Sequence, residues 1–232
     1  MDPDPRLSRA TRYTTLAAGA EAVADLEIKR SRFLAVLRRA DTEAGARALV
    51  DELRKSFSDA RHHCSAFVLG PDRDVQRSSD DGEPAGTAGI PMLESLVLRR
   101  TGTDAQGHDV TDLSDVSAVV VRWFGGTLLG AGGLVRAYGD AVREALAHAG
   151  TLRRALLIEL ALDLDHADAG RVEGELRSRG VTVLGTSYDT RARLLLAAPA
   201  DEVDHVMAVV ASATAGRAQP VAIGQRWVDL PG

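Results

Sequence analysis

Three short stretches of the chain hold residue types and spacings from which a binding or catalytic site could be made. The densest is Arg122-Trp123-Phe124-Gly125-Gly126-Thr127-Leu128-Leu129-Gly130-Ala131-Gly132-Gly133, where five of twelve residues are glycine. Glycine costs backbone entropy in a strand or a helix, so this density needs a cause. One cause is close approach of a phosphate, a sugar or another backbone to a helix start, where unpaired N–H groups and the helix dipole attract anions. The other is a tight strand-to-helix connection packed on neighbouring chain. Gly125, Gly126, Gly130, Gly132 and Gly133, with Arg122 before them and Arg136 after, are candidates for contacting a phosphate-bearing ligand. The spacing matches neither the dinucleotide fingerprint nor the Walker loop, whose Lys-Ser/Thr is missing. No cofactor is expected.

The second stretch is Arg61-His62-His63. Paired histidines invite a metal reading, but adjacent strand residues point to opposite faces, and no spaced Cys/His set accompanies them. A structural or substrate-contacting role fits better, and no metal is expected. The third is Ser78 to Gly89, with Asp80, Asp81 and Glu83 inside four residues and Thr87 close behind. Three carboxylates amid glycines could ligate magnesium or calcium through oxygen. They could equally form a polar turn whose side chains bond local amides and cap the next helix, and that reading is preferred.

These stretches sit where regular elements should end. Val116 to Val121 is a β-branched run that places Val120, Arg122 and Phe124 on one face and Val119, Val121 and Trp123 on the other. An arginine closing a buried strand needs a partner, because stranding it costs several kcal/mol. Asp80, Asp81, Glu83 or a phosphate could serve. A helix follows, with Leu134, Tyr138, Ala141, Ala145 and Ala149 on one side and Gly150 as its stop. Earlier, two strands are expected between Tyr13 and Arg39. A helix capped by Asp41 or Thr42 follows, with Ala46, Leu49, Val50, Leu53 and Phe57 inward, and then a strand from His63 to Leu69. Pro91 suits the first turn of a helix that buries Met92, Leu93, Leu96 and Val97, and Thr101 to Ser114 reads as an exposed loop.

After Gly150 the texture changes. Leu156, Ile158, Leu160, Leu162 and Leu164 alternate as in a half-buried strand, and the remainder reads β-α-β-β-α-β. The fold class is α+β, with a tail at 1–20, an N-terminal domain at 21–152 and a C-terminal ferredoxin-like domain at 153–232, joined near Gly150 to Ala155. His166 and His205 stand alone, and no catalytic constellation is visible in this half.

Bulk properties narrow the function classes. Of 232 residues, 45% are hydrophobic but only 4% aromatic, so the core is aliphatic. A net charge of −5 gives no global attraction to nucleic acid, so any such site must be a local basic patch. One cysteine, Cys64, favours a reducing compartment, and nothing resembles a membrane span or a signal peptide. The protein is expected in the cytoplasm.

Ala60-Arg61-His62-His63-Cys64, Ser79-Asp80-Asp81-Gly82-Glu83-Pro84, Gly86-Thr87-Ala88-Gly89 with Pro91-Met92-Leu93, and Val119 to Tyr138 resemble the IMPACT family, in particular its bacterial YigZ branch. The resemblance runs from about Ala22 to Leu230 and is weaker in the C-terminal part. It implies an N-terminal domain similar to the second domain of a small-subunit ribosomal protein. It also implies a C-terminal domain similar to those of elongation factor G. Eukaryotic members are linked to translational control. Ile90 stands where the family pattern leads one to expect a basic residue, and the loop from Thr101 to Ser114 is longer than expected.

The resulting expectation is a translation-related protein that binds RNA or the ribosome through a glycine-rich cleft and catalyses nothing there. Its contacts would be Arg61, His62, His63, Arg122, Arg136 and the glycines, with Lys29, Arg30 and Arg32 adding charge. The alternative is an enzyme acting on a small phosphorylated or peptidic substrate at the same cleft, and a protein-binding module is a third option.

Overall fold

The structure, a computed structural model, describes residues 9–230. Two compact units divide the chain, one up to Arg153 and one from Arg154 to Leu230.

The first unit runs β1 (Arg12–Leu16), β2 (Glu21–Ile28), β3 (Ser31–Arg39), α1 (Glu43–Ser56), β4 (His62–Leu69), β5 (Val75–Ser79), α2 (Gly89–Val97), β6 (Gly102–Thr103), β7 (Asp109–Val110), β8 (Val116–Trp123) and α3 (Ala131–Ala147). Strands β2-β3-β8-β4-β5 make an antiparallel sheet with β8 at its centre. Both faces of β8 are covered, which is why its sequence is a continuous apolar run. Val116, Ala118 and Val120 share a core with Met92 and Leu96 of α2 and Leu134, Tyr138 and Val142 of α3. Val119 and Val121 pack with Leu49 and Leu53 of α1. Thr42 caps α1, its hydroxyl accepting from Gly45 N–H at 3.1 Å. The β2–β3 turn is Lys29-Arg30, and both residues have left-handed φ, 48° and 66°.

Three expectations for this unit change. The segment 1–20 is not all tail: residues 1–8 lie outside the described residues, but Arg12–Leu16 is a strand whose Tyr13, Thr14, Thr15 and Leu16 are buried. The Tyr13 hydroxyl bonds the Asp115 carboxylate, and Thr14 exchanges backbone bonds with Asp112 and Ser114. The region 12–39 therefore holds three strands instead of two. Thr101 to Ser114 contains the β6–β7 pair and ends in buried Leu113 and Ser114, so it is not wholly exposed.

The second unit follows β9 (Thr151–Leu164), whose first three residues group with the first unit. Then come α4 (His166–Ser178), β10 (Thr182–Tyr188), β11 (Ala192–Pro199), α5 (Val203–Thr214) and β12 (Val221–Asp229). The order β12-β9-β11-β10 is antiparallel throughout. Leu160, Leu162 and Leu164, and Leu194 and Leu196, turn one face of this sheet onto Val172 and Leu176 of α4 and Val206 and Val210 of α5. No helix among the described residues is long and apolar enough to cross a membrane.

Candidate functional site

The site grows from one end of the β3-β8-β4 ladder. Arg122, near the end of β8, is paired on one side with Phe33 and on the other with His62, the first residue of β4. Period two sends Arg122 to the α3 side of the sheet, where Tyr138 projects from the helix and Phe33 meets it edge-on at 5.3 Å. The loop between β5 and α2 is folded over this end by one carboxylate. Asp80 accepts the amides of Gly86, Ala88 and Gly89 at 2.8, 3.0 and 2.8 Å, which holds the start of α2. Burial acts to raise the Asp80 carboxyl, but those three amides outweigh it and hold it below the usual carboxylate range.

This loop drives Glu83 inward. Its Oε1 accepts from Arg122 Nη1 at 2.5 Å and from the Tyr138 hydroxyl at 2.8 Å. Arg122 is 5% exposed and the Glu83 side chain 3%, so the pair is desolvated. The guanidinium lies 5.3 Å from the Phe33 ring centre and 5.7 Å from that of Phe124. Cys64 Sγ sits 3.3 Å from the Tyr138 hydroxyl and 3.0 Å from the Asp80 carbonyl. Burial pushes the Cys64 thiol up to about 12, far from a nucleophilic thiolate at neutral pH. Burial likewise pushes the Tyr138 phenol well above its ordinary value.

Above this cluster opens a cleft of about 340 Å³, bordered by Arg61 and His62, by Glu83 and Pro84, by Arg122 and Phe124, and by Leu128 to Ala131 with Leu134. Its mouth is apolar where Phe124 (46% exposed) and Leu128 (82%) stand out. Its floor meets the start of α3, where Gly130 is the cap and the Leu134 amide is the first to bond back into the helix. The amides of Ala131, Gly132 and Gly133 have no partner within the helix.

All three chemistry-bearing stretches therefore border one cleft, but not every expected residue faces it. Arg61, His62, Glu83, Arg122 and Gly130 do. His63 does not: alternation turns it away, and its Nε2 lies 3.2 Å from the Phe57 carbonyl. Asp80 is the α2 cap. Asp81 pairs with Arg54 at 2.5 Å and accepts the His63 amide at 2.6 Å. Thr87 donates to the Pro84 carbonyl at 2.6 Å. The three carboxylates thus diverge and do not form one ligand set. Arg136 lines a separate groove between α2 and α3.

The glycines also divide. A Cβ on Gly125 would stand 2.0 Å from the Arg30 carbonyl carbon and oxygen, so that glycine admits neighbouring chain and no ligand. Gly133 is tight against Leu129 Cβ at 2.9 Å. Gly126 and Gly130 have φ of 83° and 73°, which side chains resist. Gly132 alone of the five combines room for a side chain, its nearest neighbour being Arg136 Nη2 at 3.9 Å, with a φ outside the left-handed range. Sequence reasoning missed the Tyr138 hydroxyl, read only as core, and the apolar lip of Phe124 and Leu128. The Arg122/Phe124 alternation was the available signal for the latter.

Comparison with known proteins follows the same division. The Impact N-terminal domain matches residues 29–146, and a domain of unknown function (DUF1949) matches residues 162–217. IMPACT family member YigZ of Escherichia coli (strain K12) is 39% identical over 199 residues, 85% of this chain and 92% of that protein. IMPACT family member YvyE of Bacillus subtilis (strain 168) is 43% identical over 153 residues, 66% of this chain and 65% of that protein. The crystal structure of a hypothetical protein, 36% identical, superposes with a TM-score of 0.59 over 92% of this chain and 98% of that one.

Proposed function

The chain belongs to the IMPACT family, and from that premise we propose that it is a translation-related protein that binds single-stranded RNA, free or on the ribosome, through the Arg61–His62–α3 cleft. The observation that carries this reading is the composition of the cleft rim. Arg61 makes no ion pair among the described residues and stands at the same opening as the free first-turn amides of α3 and the exposed Phe124 and Leu128. A cation, an anion-accepting helix start and an aromatic platform together suit a phosphate followed by an unstacked base. Gly125 seats directly on the Arg30 carbonyl, which ties the basic Lys29-Arg30 turn to the glycine-rich segment. Arg122 contributes little to the attraction, since Glu83 neutralises it. The strand order of the second unit supports the likeness to elongation factor domains that belongs to this reading.

Fluorescence anisotropy of a labelled single-stranded RNA, titrated at several salt concentrations, tests the proposal. Arg61→Ala should weaken binding and reduce the salt slope by about one contact's worth, roughly 0.7 for a single strand. Gly132→Val should weaken binding by blocking approach to the helix start while leaving the melting curve near wild type. Unchanged RNA affinity in both variants refutes the RNA reading. The second reading, an enzyme for a small phosphorylated or peptidic compound, draws on the cleft volume, which lies at the lower end for small-molecule sites.

A further inference from the structure

Two groups on one side of the cleft, His62 and Glu83, present hydrogen-bond acceptors. His62 Nδ1 lies 2.9 Å from the Asp81 carbonyl oxygen. A carbonyl can only accept, so the neutral ring carries its proton on Nδ1 and leaves Nε2 as a lone pair. That Nε2 is 3.9 Å from Glu83 Oε1, too far for a bond, and it has no other partner among the described residues. Glu83 repeats the pattern. Its Oε1 is saturated by Arg122 and Tyr138, while Oε2 has no partner among the described residues, and the residue borders the cleft. Both side chains are pinned, His62 at 12% exposure and Glu83 at 3%.

Two fixed acceptors side by side repel a phosphate and require a ligand that brings two neighbouring donors. A phosphate has its place elsewhere in the same cleft, at Arg61 and the first amides of α3. The geometry points to the 3′-terminal nucleoside of an RNA strand as the group that enters the cleft. Its 2′- and 3′-hydroxyls donate to His62 Nε2 and Glu83 Oε2, its base lies against Phe124 and Leu128, and its 5′-side phosphate lies at the start of α3. This rests on the RNA reading above and narrows it to strand ends. Vicinal hydroxyls supply two donors on adjacent carbons. An internal nucleotide or a DNA end supplies one, and a 3′-phosphate replaces a donor with a charge that faces a carboxylate.

The test uses the wild-type protein, a His62→Ala variant and one RNA sequence carrying a 5′ label and three different ends. Anisotropy should show tightest binding to the 3′-hydroxyl end. A single terminal 2′-deoxy substitution should weaken it by about five- to tenfold, the effect of one hydrogen bond to the neutral imidazole of His62, and a 3′-phosphate should weaken it more. His62→Ala leaves the Arg122–Glu83 pair intact and should reduce the difference between the hydroxyl and deoxy ends to about twofold or less. Equal affinity for all three ends overturns the inference while leaving the RNA reading in place, as does full discrimination by a folded His62→Ala. If no RNA binds whatever its end, the RNA reading itself fails and takes this inference with it.

Discussion

Replacing Arg122 with leucine should destabilise the first unit far more than replacing a comparable surface arginine. In the wild type both charges of the Arg122–Glu83 pair are almost fully removed from water, and the Tyr138 hydroxyl shares the same carboxylate oxygen. Deleting the cation leaves a buried, uncompensated carboxylate, a change that costs about 3–5 kcal/mol. For a unit of this size that corresponds to a fall in melting temperature of roughly 10–15 °C. Arg54→Leu is the control: its pair with Asp81 is as short, but the arginine side chain is 48% exposed, so about 1 kcal/mol or less is expected. Urea unfolding followed by Trp123 fluorescence in a Trp227→Phe background reports on the first unit alone. Adding Glu83→Gln to Arg122→Leu should recover part of the loss, because glutamine still accepts from Tyr138 without bringing a charge. An Arg122→Leu midpoint equal to that of Arg54→Leu, or a double variant whose loss is the sum of the two singles, would show that burial does not set the strength of this pair.

Three further outcomes follow from local geometry. Asp80→Ala should cost about 1–2 kcal/mol by removing the cap of α2, read from the urea midpoint. Because the folded Asp80 carboxyl lies below its unfolded value, its stabilisation is present above about pH 4 and is lost as pH falls through the folded value. Asp80→Asn should therefore flatten the acid limb of the stability profile. The Cys64 thiol, pushed up to about 12, should resist alkylation at pH 8 in the folded protein and react only as fast as the unit unfolds, measured by mass spectrometry. Gly125→Ala should cost about 3 kcal/mol or more through its clash with the Arg30 carbonyl, whereas Gly132→Ala should stabilise α3 by up to about 1 kcal/mol, both read by thermal melting.

Much of the framework was legible from periodicity. The β8 run, the helix after it and the βαββαβ texture beyond Gly150 are patterns of period two or 3.6, and local pattern determines them. The sequence leaves the partner of Arg122 open among Asp80, Asp81, Glu83 and a phosphate. The choice depends on left-handed backbone at Asp81 and Gly82, φ 42° and 85°, which sends successive side chains apart. Which of His62 and His63 enters the cleft could not be read either, because alternation separates them without saying which face α3 covers. Strand β1 escaped notice because what orders it, Asp115 on Tyr13, lies 102 residues along the chain. Arg136 was misplaced because it lies two residues beyond Leu134, roughly 200° around the helix and away from the cleft. The role of Gly125 was illegible in principle: a glycine that admits backbone and one that admits ligand look alike in sequence.

The Lys29-Arg30 turn has a consequence for engineering. Two-residue turns with left-handed φ at both positions favour Asn-Gly, and each ordinary side chain held there gives up about 1 kcal/mol. A redesign that ranked substitutions by stability alone would rewrite this turn first and gain a sturdier hairpin. It would also delete the two positive charges of the turn on which Gly125 packs, one of them on the residue whose carbonyl that glycine is shaped to receive. The turn is thus a place where foldability and surface charge are traded directly against each other, and a thermostabilised version of the chain should be checked there before any loss of binding is attributed to the cleft.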